Sequence, residues 1–191
     1  ENMVQVEPVS QSFAAIPSWE GEIIPVPLEV AREVGRLREE ISGSMVRNAE
    51  PSKTLEGYPL SEEAVWKVVN FVQRQMDEGF WVPTHRRVLI EAFENYAVIH
   101  TCFGDVINQT LSRILAAILS SKFGVNVATQ SDSYRIALIA PIHLYPEELS
   151  RELLKLKAED VGSILAAVLG DTNLFAWRLW HVARRFGAVE R

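Results

Sequence analysis

The spacing of apolar residues changes period along this chain, and the changes divide it into elements. Residues 3–8 (MVQVEP) alternate apolar and polar, which predicts a short strand. From Gln11 to Pro27 the pattern is irregular, punctuated by Pro17, Gly21, Pro25 and Pro27. A helix should begin near Pro27, because proline is tolerated in a helix's first turn. Its apolar stripe is Val30, Val34, Leu37 and Ile41, at i, i+4, i+7 and i+11. Glu29, Arg32, Glu33, Arg36 and Glu40 fall on the opposite, solvated face. Residues 42–60 are the most polar and least periodic stretch and predict a mobile loop. Ser61 followed by Glu62 and Glu63 is a capped, acidic helix start. The helix it opens runs to about Glu78, with Val65, Val68, Val69, Val72 and Met76 on one face, and Gly79 ends it.

The period then shortens. Val88–Phe93 and Tyr96–Cys102 predict two strands joined at Glu94-Asn95, a tight hairpin without the preferred Asn-Gly chemistry. Asp105 is placed to cap the next helix, which is apolar almost all round from Val106 to Leu119 and is closed by Gly124. A helix of that kind is buried on more than one side. Val125–Thr129 and Tyr134–Ala140 predict a second strand pair turned at Gln130-Ser131-Asp132-Ser133. Three helices follow: Pro146 to about Leu156, Asp160–Leu169, and Leu174–Phe186 with Phe175, Leu179, Val182 and Phe186 facing inward. The order of elements predicts an α+β fold, a mostly antiparallel sheet packed with helices around one long buried central helix. Residues 1–191 read as one domain.

Composition narrows the function classes. The chain has 191 residues, 48% of them hydrophobic and 23% charged, enough apolar content for a real core. Its net charge of -6 excludes a globally basic nucleic-acid binder. The acidic excess sits in residues 1–80, with 14 acidic against 7 basic side chains; residues 81–191 carry 11 against 12. Any nucleic-acid contact must therefore come from a local patch or from stacking. A single cysteine, Cys102, fits a reducing compartment, and a cytoplasmic location is expected. No apolar run approaches the roughly 20 residues that span a bilayer. The opening ENMVQVEPV reads as a start in mid-protein, so the chain is expected to be a fragment of a longer one.

Few residues call for chemistry. His85, His100, His143 and His181 have no ligand spacing among them, so no metal site is expected. His100 and Cys102, two apart, would share a strand face, but Cys102 ends an apolar strand and reads as a small buried packer. Phe103-Gly104-Asp105 precedes a helix whose free N–H groups could attract phosphate, yet the Asp105 carboxylate would occupy that place. The tail is richer. Trp177, Arg178, Trp180, His181, Arg184 and Arg185 lie opposite the last helix's apolar stripe. Aromatic plus arginine suits strand stacking and phosphate contact. It suits a protein–protein hot spot equally well, with Trp177 and Trp180 as docking residues. Trp19, in an irregular segment, suits either a core plug or a base stack.

Four phrases together resemble the accessory, DEAD/H-associated region of large helicase-related (Lhr-type) superfamily 2 ATP-dependent helicases. They are SWEGEIIPVPLEVAREVGRLRE, RRVLIEAFENYAVIHTCFGDVINQTLSRILAAILSSKFG, SYRIALIAP and NLFAWRLWHVARRFG, in that order. The resemblance implies a parent protein with two RecA-like motor domains and a winged helix, moving 3′ to 5′ on single-stranded DNA or RNA with ATP and Mg. Neither cofactor is expected in this chain, which has no GxxxxGK[ST] loop and should not hydrolyse ATP alone. Trp19 resembles the family tryptophan that stacks on a base. Arg178, Arg184, Arg185, Arg86 and Arg87 become candidates for backbone contact. The rival expectation is a docking module that packs on the motor without touching nucleic acid. A small enzyme built on His100, Cys102 or an unrecognised carboxylate pair is the remaining alternative.

Overall fold

The computed structural model describes residues 24–170 and 172–189; the expected strand at 3–8 and Trp19 lie outside the described residues. The first two helices are α1 (Leu28–Val46) and α2 (Glu62–Asp77), with a short 3-10 turn at Pro51–Leu55 between them. Pro27 precedes α1, and the Ser61 hydroxyl accepts the Ala64 N–H to cap α2. Ile41, Leu55, Val72 and Val82 form a small core where these pieces meet, with Leu37, Val65, Val68, Val69 and Met76 packed around it.

Two expectations change here. Residues 42–46 are the last turn of α1, and Leu55 is buried, so the unpatterned stretch of 42–60 is shorter than its composition suggests. The α1 stripe is also wider than expected. Val30 is exposed, while Ala31, Gly35, Ile41 and Ser44 are buried, because α1 touches two neighbours at once.

Four strands follow as two hairpins: β1 (Leu89–Phe93), β2 (Tyr96–His100), β3 (Ala128–Ser131) and β4 (Arg135–Ile139). The sheet is antiparallel throughout, in the order β1-β2-β4-β3. The Glu94-Asn95 turn holds, with Glu94 at φ 52°. Its carbonyls are used: Leu144 donates to Glu94 at 2.8 Å and Ala140 to Asn95 at 3.0 Å. The second turn lies further along than expected, since β3 runs on to Ser131. Asp132 explains the shift. Its carboxylate accepts the Tyr134 N–H at 2.8 Å and the Arg135 guanidinium at 2.7 Å, so the chain reverses after it.

The central helix, α3 (Asp105–Phe123), crosses one face of the sheet between the hairpins. Leu115 and Leu119 meet Ala97, Ile99, Ile136 and Leu138 in the main core, which Leu149 of α4 (Pro146–Lys155) and Leu144, just before it, close. Helix α5 (Ala158–Leu169) covers a second side of α3, as the all-round apolar pattern requires. Helix α6 (Asn173–Arg185) completes the described chain. The fold is α+β, as expected. No described helix is long and apolar enough to cross a membrane.

Candidate functional site

Asp105 does not cap its own helix. Gly104 is the cap residue, and the Asp105 carboxylate accepts the Val26 N–H at 2.6 Å and the Ser133 hydroxyl at 2.8 Å. Gly104 has φ 80°, and a Cβ there would sit 2.5 Å from the Val26 carbonyl oxygen. The close approach that this glycine permits is to the chain itself. The start of α3 is therefore occupied by protein, which removes the phosphate reading of Phe103-Gly104-Asp105.

His100 and Cys102 do not form a pair. Strand β2 ends at His100, whose Nε2 lies 3.0 Å from Glu91, in a recess shared with Arg38 of α1 and Phe71 of α2. Cys102 is buried beneath Gly35, where a Cβ on that glycine would come within 2.7 Å of its Sγ. Burial pushes the Cys102 thiol up, against the pull of Arg38, so the group is held as a thiol. His85 faces Glu39 at 3.1 Å, without hydrogen-bond alignment. No group of three or more His, Cys, Asp or Glu side chains able to hold a metal occurs among the described residues.

Helix α6 departs most from expectation. Phe175, Leu179, Val182 and Phe186 do not face inward: all four are exposed, Phe186 at 85%. No other described element packs extensively on this helix. Thr172 caps it by accepting the Phe175 N–H at 3.1 Å. Both tryptophans are exposed too, Trp177 at 54% and Trp180 at 44%. They sit edge-on to His181, with ring centroids 4.3 and 5.0 Å away. Arg178 lies 5.4 Å from the Trp177 ring and Arg184 5.1 Å from the Trp180 ring. Helical spacing thus gathers Trp177, Arg178, Trp180, His181 and Arg184 into one cluster, with Arg185 exposed beside it.

Arg86 and Arg87 lie elsewhere, in the segment between α2 and β1. Both are exposed, and Arg87 stands 4.5 Å over the ring of Trp81, a residue the sequence patterning passed over. Its signal was present: Phe80 and Trp81 fall between the helix-ending Gly79 and Pro83, outside any apolar stripe. Several other cations are held by acids. Arg36 is gripped by Glu33 and Glu40, and with the Tyr58 hydroxyl it holds the Glu33 carboxyl down to about 2. Arg135 is held by Asp132, and Lys122 by Glu148 and Glu152.

Fold and surface together define an α+β accessory module whose candidate chemistry is arginine set against exposed tryptophan. The family model described as DEAD/H associated matches residues 82–191, and the chain belongs to that family. It is 30% identical to the ATP-dependent helicase Lhr-Core protein 2 of Thermococcus barophilus, over 96% of this chain and 22% of that protein. It is 25% identical to the ATP-dependent helicase Lhr-Core of Sulfolobus acidocaldarius, over 96% of this chain and 22% of that protein. The structure of Mycobacterium smegmatis helicase Lhr bound to ssDNA and AMP-PNP shares the fold, with a TM-score of 0.63 and 20% identity. That likeness covers 92% of this chain and 22% of the other. The chain thus spans about a fifth of the length of these relatives, and the resemblance read from the four phrases is borne out.

Proposed function

We propose that this chain is the nucleic-acid-binding accessory domain of an Lhr-like, ATP-dependent 3′-to-5′ helicase, and that it guides the translocated single strand. ATP and Mg act in the RecA-like motor, which with the winged helix belongs to the same parent protein. Trp19 stacks on a base. Arg178, Arg184 and Arg185 contact phosphates from α6, and Arg86 and Arg87 do so from the segment before β1. The observation that carries the reading is the α6 cluster, where exposed tryptophans and arginines stand in contact on one helix. Membership of the DEAD/H-associated family supports the helicase setting; the cluster supplies the stacking and charge that a strand needs.

The test is strand affinity of the intact protein across a salt series. Arg184→Ala with Arg185→Ala should flatten the dependence of log K on log salt by roughly one unit per lost phosphate contact. Trp19→Ala should weaken binding by about 1–3 kcal/mol. An unchanged salt slope together with unchanged affinity would sink the assignment.

One observation favours a second reading. The uncovered stripe Phe175, Leu179, Val182 and Phe186 has the composition of a docking face. In that reading Trp177 and Trp180 pack against the motor, and α6 leaves the strand to other parts of the protein.

A further inference from the structure

We infer that the groove between the end of α1 and residues 80–87 is a separate single-strand stacking subsite, with Trp81 as the base platform and Arg47 and Arg87 as its phosphate partners. The inference rests on the strand-binding reading above and adds a place and a residue to it.

Trp81 is held out from the surface by a braced segment. Gly79, at φ 80°, turns the chain out of α2. The Phe80 N–H donates to the Gln75 carbonyl at 3.1 Å, and Gln75 Nε2 donates to the Trp81 carbonyl at 3.2 Å. Val82 is then buried in the smaller core. Beyond it, Thr84 and Arg87 exchange backbone hydrogen bonds at 3.1 and 3.2 Å, and the Arg86 N–H donates to the Thr84 hydroxyl at 3.2 Å. Both flanks of the tryptophan are thus fixed while Trp81 remains 69% exposed and the neighbouring Phe80 56%. A rigid aromatic needs little ordering when a ligand arrives, which favours binding.

The charge around it is selective. Arg87 lies 4.5 Å over one face of the indole. A base on the other face would complete a stack of cation, indole and base. Arg47, at the end of α1, lines the same groove of about 440 Å³, together with Val46 and Met76. Among the described residues, Arg47, Arg86 and Arg87 have no carboxylate within ion-pair distance, whereas Arg36, Lys122 and Arg135 do. The acid in the groove wall, Glu39, faces His85. A flat aromatic ring among arginines that no acid neutralises is complementary to a polyanion carrying flat bases. A local basic groove also answers how a chain of net charge -6 can hold a strand.

The experiment uses the intact protein and a single strand carrying 5-iodouracil. Photo-cross-links are mapped by mass spectrometry, and affinities are measured for Trp81→Ala, Trp81→Phe, Arg87→Ala and the Arg184→Ala/Arg185→Ala pair. The expected result is a cross-link at Trp81. Trp81→Ala should lose roughly 5- to 150-fold in affinity, with most of it retained by Trp81→Phe. Arg87→Ala should flatten the salt slope by about one unit. No cross-link and unchanged affinity for Trp81→Ala, with weakened binding by the α6 pair, would overturn this groove and leave the strand reading standing. Unchanged binding in every variant would overturn both. Weaker binding by Trp81→Ala without a cross-link would also overturn it, since the groove would then seat protein rather than a strand.

Discussion

At Gly35 two opposing effects can be weighed. In an exposed helix interior, replacing glycine by alanine stabilises by about 1 kcal/mol through helix propensity. Here the added Cβ would lie 2.5 Å from the His85 backbone nitrogen and 2.7 Å from Cys102 Sγ. The nearest atom is backbone and cannot swing away, so overpacking of roughly 1–3 kcal/mol should win. Gly35→Ala is expected to lower the denaturation midpoint without changing the slope against denaturant. A raised midpoint in urea unfolding would mean that the contact with the residues after α2 is loose. Gly104, two residues beyond Cys102 and against the start of the same helix, shows the same logic, with the added constraint of φ 80°. Glu94 is the converse case. It takes φ 52° in the first hairpin turn without being glycine, held there by what its carbonyl accepts from Leu144.

Besides the apolar packing of Leu149, one cation ties α3 to α4. Lys122 Nζ reaches Glu148 at 2.7 Å and Glu152 at 2.8 Å, and Lys155 also reaches Glu152 at 3.3 Å. Lys122, then Lys155, holds the Glu152 carboxyl below its ordinary value of 4.5, and Glu148, then Glu152, raises Lys122 above its ordinary 10.5. For the carboxyl, the folded-state pKa is depressed, so its contribution is present above the unfolded value. It is lost as pH falls through the folded one. Lys122→Met should therefore lower Tm near neutral pH, and the gap from the parent should narrow as pH falls below the ordinary carboxyl value of 4.5. A gap that stays constant down to pH 3 would show that Lys122 acts only by packing its stem. The elements this tether joins were legible in the sequence, because α3 and α4 have apolar residues at helical spacing and glycine or proline at their ends. The first hairpin was legible too. Side-chain hydrogen bonds were not: Asp132 moved the second turn, and Asp105 reached across to Val26 instead of capping. Neither effect leaves a trace in apolar periodicity. Helical spacing alone places Trp177, Arg178, Trp180, His181 and Arg184 side by side, which is why their contacts were legible. Trp81 was missed because it belongs to no repeat, and its partner Arg87 meets it only after the segment folds back through Thr84.

For the whole molecule the question is what α6 rests against. Its apolar residues at i, i+4, i+7 and i+11 have the spacing of a buried face, yet all four are exposed. The sequence pattern alone could not tell a face covered from within the chain from one covered by something else. Fully burying one phenylalanine is worth about 1.5–3 kcal/mol, so Phe175 and Phe186 together represent a substantial driving force for association. The relatives that this chain matches are several times longer than it. Alone, the chain should self-associate through this stripe as concentration rises. Phe175→Gln with Phe186→Gln should make it monomeric by sedimentation, with Tm nearly unchanged because neither side chain belongs to a core. In the intact protein the same pair should do the reverse: lower Tm and open the end of this domain to protease, since there the stripe would be covered. A chain that stays monomeric at every concentration, with an intact protein indifferent to the pair, would dispose of docking and leave α6 to the strand. Self-association removed by the pair, with the salt slope of strand binding still flattened by Arg184→Ala and Arg185→Ala, would assign both faces of one helix. The apolar stripe would hold the domain in place, and the arginine–tryptophan face would point at the strand.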